Sequence, residues 1–150
     1  MQNELIGRLR KLEEILEHVE KKFTDIYISA INTVKGKNVK KYIFRPSNKV
    51  LWVVVGKERE YIITEWKKSN NLFFVCSCPD FLFHVLLKST REKALRRNVC
   101  YHTVARIICE IHEIRKKLGM SYSERFLPEL LEEKDDYYVD FLREILEVVD

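Results

Sequence analysis

The sequence predicts an α+β domain: an N-terminal helix over an antiparallel β-meander, then a further helix and a helical, acidic C-terminal tail. Three observations carry that prediction. Apolar residues recur at helical spacing over the first 23 positions. From about 39 to 76 the pattern becomes short β-branched and aromatic runs broken by turn residues. A second helical stripe then follows position 99.

Leu5, Leu9, Leu12, Leu16, Val19 and Phe23 follow a 4-3-4-3-4 spacing, and Ile6 and Ile15 widen the stripe. Such a stripe packs onto the body of the domain or fills a groove on a partner. Ile26, Ala30, Ile31 and Val34 predict a second helix over about 24–34, ending at Gly36.

The runs VKKYIFR (39–45), VLWVVV (50–55), EYIITEW (60–66) and LFFVC (72–76) read as strands. PSNK, GKER and KKSNN between them supply the turn chemistry of a meander. VLWVVV is apolar throughout, as a central strand covered on both faces would be, and the N-terminal helix is a natural cover for one. Val104, Ile107, Ile108, Ile111 and Ile114 predict a helix over about 99–118, closed by Gly119. Ser121 or Ser123 is placed to cap another to about 133, and DDYYVDFLREILEVVD reads as a last acidic amphipathic helix. The organisation is therefore a helical segment (1–35), a meander plus helix (36–118) and an acidic tail (119–150).

Composition narrows the function. The chain has 150 residues, 46% hydrophobic and 33% charged, enough to bury a core. No run approaches the ~18 apolar residues of a membrane span, and the N-terminus lacks the apolar core of a signal peptide. The expectation is an intracellular protein, cytoplasmic in a prokaryote and nuclear in a eukaryote. The net charge of +4 hides an asymmetry: residues 121–150 hold ten acids against three bases, while the body is basic. No Gly-x-x-x-x-Gly-Lys-Ser/Thr is present to cradle a nucleotide, and no triad or carboxylate pair stands out, so the chain is expected to have no catalytic residues.

The cysteines carry the sharpest signal. Cys76 and Cys78 close the fourth strand, where residues i and i+2 share a face and both sulfurs reach one ion. After twenty-one intervening residues comes Cys100-x-His102. Inside a helix, i and i+2 diverge by about 200°, so this second pair must straddle a helix start, with Asn98 nearby as a cap. There the helix dipole favours the Cys100 thiolate. Three thiolates and one imidazole complete a tetrahedral shell for one structural zinc ion and leave no open position for substrate. Such a site joins the meander's last strand to the following helix. Cys109 lies about 10 Å further along the helix than His102, too far to share the ion, and reads as a buried apolar residue. His112 reads as solvated or hydrogen-bonded, and His18 and His84 have no clustered partner.

At these residues the chain resembles the SWIM zinc-finger family, whose signature is Cys-x-Cys, a variable gap, then Cys-x-His. CSCPDFLFHVLLKS followed by CYHTVA is most similar to the group formed by the SWIM subunit of the Shu complex and its archaeal and animal counterparts. Pro79, Phe81, Phe83, Lys88, Ser89 and Ala105 carry that similarity, with the motif spanning about 66–112 and the inter-ligand gap several residues longer than the family's. Ala105, one turn after His102, lets the helix approach the metal site. Phe81 and Phe83 read as core under it.

The resemblance implies a non-catalytic adaptor in DNA repair by homologous recombination. It would dock a RecA-like recombinase paralogue and promote recombinase action on single-stranded DNA. A hetero-complex follows from the resemblance, with a homodimer as the alternative. The basic residues raise a second expectation, a stand-alone nucleic-acid-binding module. Its candidate contacts are Lys88, Arg91, Lys93, Arg96 and Arg97, with a further group at Lys35, Lys37, Lys40, Lys41, Arg45 and Lys49.

Overall fold

The computed structural model describes residues 2–69, 71–82, 99–120 and 141–149. Two helices come first, α1 (Gln2–Lys22) and α2 (Thr24–Lys35), followed by strands β1 (Val39–Arg45), β2 (Val50–Val55), β3 (Glu60–Lys68) and β4 (Asn71–Cys76). A single helical turn, α3 (Pro79–Phe81), precedes the long helix α4 (Tyr101–Lys117), and strand β5 (Glu144–Val149) follows. The sheet order is β4-β3-β2-β1-β5. The first four strands are an antiparallel meander, and β5 lies parallel to β1, with Lys40 opposite Glu144 and Arg45 opposite Val149.

The expected stripe of α1 is what the fold buries: Leu9, Leu12, Leu16 and Val19 are in the core, and Leu5, Ile15 and Phe23 pack against it. Helix α4, rather than α1, is the element that lies against β1 to β4, and α1 and α2 pack chiefly on α4. The expected N-terminal cover is therefore mostly indirect, through α4, although Arg8 of α1 does reach Glu65 of β3. With neighbours on both sides, α4 buries every residue from His102 to His112, polar ones included. Gly119 closes it at φ +69, where its N–H reaches the Lys116 carbonyl and that of Met120 reaches Arg115. That left-handed turn suits glycine because it has no Cβ.

β2 is the middle strand, and Trp52, Val53 and Val54 are consecutively buried; α4 covers the face of Trp52 and Val54, while Val53 lies on the other face between Lys40 and Ile62 of the neighbouring strands. The helical tail is corrected over 144–149. Glu144 and Glu147 look like helical surface acids, yet β5 uses them to reach Lys40 and Arg45 of β1. The remaining tail calls, a helix to about 133 and the start of the last one, lie outside the described residues, as do Phe83, His84 and Asn98. Among the described residues, no helix is long and apolar enough to cross a membrane.

Candidate metal centre

β4 delivers Cys76 opposite Ile63 of β3. The chain then turns through Ser77 into Cys78, which is extended (φ −78, ψ 154) and caps α3, its sulfur accepting from the Phe81 N–H at 3.2 Å. Pro79, at the start of that turn, needs no N–H there and brings a suitable φ. Phe81 is buried beneath it. On the other side, Cys100 is the residue before α4, extended at φ −97 and ψ 170, and its sulfur makes no capping bond. His102 sits in the first turn, so the pair straddles the helix start, the one placement that lets both side chains face one point.

The four ligand atoms of Cys76, Cys78, Cys100 and His102 all lie within 4.8 Å of one another, and all four residues are buried. None of the cysteines is in a disulfide. Nδ1 of His102 is 3.8 Å from the Cys100 sulfur; the S···N edge of a tetrahedral zinc site is about 3.6 Å from ordinary bond lengths. The ring is flanked by Tyr61 and Tyr101, with centroids 4.7 and 4.0 Å away, and its Nε2 is buried without a hydrogen-bond partner. An imidazole held so, beside three converging sulfurs, fits a bound cation better than solvent.

The thiols influence one another as a crowded set would. Hydrogen bonds from Cys76 and then Cys78 hold Cys100 well below the usual thiol range, against its burial. Donating to Cys100 pushes Cys76 far up, and pushes Cys78 up to about 11. One thiolate is thus favoured by the protein alone. A divalent cation supplies the charge that lets all three ionise. Cys76, Cys78, Cys100 and His102 would hold that ion, and its chemistry there is structural, tying β4 and α3 to α4.

Ala105 is fully buried in α4, one turn beyond His102. Cys109 is buried, 1% exposed, and His112 is buried with its ring 4.6 Å from that of Phe141. Tyr61 and Tyr101 escaped the sequence reading. Tyr101 is the middle residue of Cys-x-His, whereas nothing local marks Tyr61, which reaches the site through the register of β3.

A buried charge network behind the site also escaped it. Arg8 of α1 grips Glu65 of β3 with two bonds of 2.8 and 2.6 Å and also pairs with Glu110 of α4. Arg106, one turn before Glu110, bonds Glu110 at 3.1 Å and Glu65 at 3.4 Å. Trp52 has Arg106 and Lys41 over its ring.

The nucleic-acid candidates fare unevenly. Lys88, Arg91, Lys93, Arg96 and Arg97 lie outside the described residues. In the second group, Lys40 pairs with Glu60 and Glu144, Lys41 with Glu113, and Arg45 with Glu147. Three of that group of six are thus paired with acids of the same chain, and among the described residues no such ion pair is seen for Lys35, Lys37 or Lys49.

No protein-family model matches the chain, and no solved structure matches it. A curated relative does: the zinc finger SWIM domain-containing protein 7 homolog of Dictyostelium discoideum is 29% identical over 112 residues. Those residues are 75% of this chain and 65% of the relative, so the chain spans just under two thirds of the length of the protein it matches. The chain is a distant homologue of a protein named for its SWIM-type zinc finger, and Cys76, Cys78, Cys100 and His102 form, among the described residues, a buried Cys3His cluster of the kind that holds one zinc ion.

Proposed function

We propose that the chain is a non-catalytic zinc-binding adaptor in homologous recombination. It docks a RecA-like recombinase paralogue and promotes recombinase action on single-stranded DNA. The observation that carries the reading is the closed Cys3His cluster in a relative of a SWIM-domain protein. A shell filled by four protein ligands leaves no site for substrate, so the zinc supports a surface and the chemistry belongs to a partner.

The test is capture of the native protein from extract, with metal analysis of the eluate. Co-elution of a RecA-like paralogue with one zinc per chain, and faster strand exchange when the purified pair joins a recombinase, support the reading. A chain that elutes alone with its zinc and leaves strand exchange unchanged refutes it.

A further inference from the structure

The sheet has one face under α4 and one face with a different character. On the helix side Ile63, Phe74 and Cys76 are buried. On the opposite side, along β3 and β4, Ile62, Trp66, Phe73 and Val75 are 45%, 64%, 42% and 37% exposed. Trp66 and Phe73 are direct cross-strand partners, and Val75 lies opposite Thr64 on the same face. Large apolar side chains clustered in this way mark an interaction surface, unlike single exposed ones.

The cluster runs to an edge. β4 is the outermost strand on its side and, among the described residues, pairs only with β3. Its sequence, Asn71–Cys76, contains no charged residue. Edge strands normally carry charge, proline or a bulge that blocks further pairing. The other edge, β5, has Glu144 and Glu147. Among the charged side chains described on the exposed face, the cation of Lys40 is taken up by two acids, Glu60 and Glu144. Among the described side chains, the lysine of this face is already paired with acids, which disfavours a phosphate backbone. A neutral apolar partner fits it.

The geometry points to a second copy of this chain. A two-fold contact joins a patch to itself, and an uncharged strand meets its own copy without repulsion. Opposed residues of an antiparallel pair share a face, so β4 can pair with itself only about one of its residues. Pairing about Phe73 sets that ring against its own counterpart and Asn71 against Val75. On the helix side it brings Leu72 against Phe74. Two five-stranded sheets become one, and a row Trp66–Phe73–Phe73–Trp66 crosses the junction. Aromatic cross-strand pairs are a favoured unit of sheet stabilisation. This inference stands independently of the recombination reading.

The test is sedimentation equilibrium of the zinc-loaded full chain over a concentration series, with Phe73→Lys, Trp66→Lys and Val149→Lys as variants. The expected result is a wild-type dimer, at least a tenfold weaker dimer for Phe73→Lys and Trp66→Lys, and no change for Val149→Lys on β5. Circular dichroism and zinc content check that each variant is folded. Trp66, the more exposed of the two, carries the readout if Phe73→Lys does not fold. A wild type monomeric at every concentration overturns the proposal. So does a dimer indifferent to both lysines or broken by Val149→Lys. A monomer that binds single-stranded DNA or a recombinase paralogue through Phe73 assigns the surface elsewhere and equally overturns it.

Discussion

The guanidinium carbon of Arg106 lies 4.7 Å from the centre of the Phe74 ring, placing a cation of α4 directly on an aromatic of β4. With Trp52 5.4 Å away, the buried cation has π faces where its Nε and Nη1 lack hydrogen-bond acceptors. Arg106→Ala removes that contact and leaves Glu110 with Arg8 alone. Losing one member of a buried ion pair costs about 3 kcal/mol, and urea unfolding should show a loss of that order. Arg106→Met, which keeps most of the stem against the rings, should recover part of it. Equal losses in the two variants would assign the whole effect to charge.

Withdrawal of metal should unfold more than the ligand loop, because the four ligands come from both the sheet and α4. A strong chelator should abolish cooperative thermal unfolding, and one added zinc per chain should restore it. Cys78→Ser should bind zinc at least tenfold more weakly in a competition titration. An unchanged melting curve after complete metal removal contradicts a structural site.

Gly56 guards the same site from a distance. A Cβ there would come 2.7 Å from Cε2 of Tyr61 and 3.1 Å from the Arg59 carbonyl, and Tyr61 flanks His102. Gly56→Ala should therefore displace the tyrosine at a cost of about 1–3 kcal/mol. Zinc release to a chelator should quicken in parallel. Stability loss without any change in zinc release would uncouple Tyr61 from the metal.

Acid should weaken the domain partly through Glu65. Its burial raises the carboxyl pKa, but the bonds and charge of Arg8, with the charge of Arg106, outweigh this and hold it below the usual range. The folded state thus favours the carboxylate. Its contribution is complete above the ordinary glutamate pKa of about 4.3 and disappears as pH falls through the lowered folded value. Solvent screening limits the effect to about 1 kcal/mol or less. Glu65→Gln should flatten the acid limb of a stability–pH curve by that amount. Identical limbs in the two proteins would remove Glu65 from the account.

The ligand set could be read from the sequence because metal chemistry imposes residue types at short spacing, and both pairs are local. The meander was legible for a similar reason: turn chemistry and β-branched runs lie side by side along the chain. β5 was not, because EILEVV is ambiguous alone and its strand form depends on Lys40 and Arg45, about a hundred positions away. The burial of Arg106 and Glu110 was hidden likewise. Their i, i+4 spacing is visible, but it normally marks a solvated helix face, and only Arg8 and Glu65 make the interior habitable for them.

The parallel pairing of β5 with β1 sets a schedule for synthesis. Residues 144–149 leave the ribosome roughly a hundred residues after 39–45, which at about 5–20 residues per second is a delay of about 5–20 s. Throughout that interval the outer rim of β1 has no strand to close it, so a nascent chain would offer that rim to chaperones or to neighbouring nascent chains.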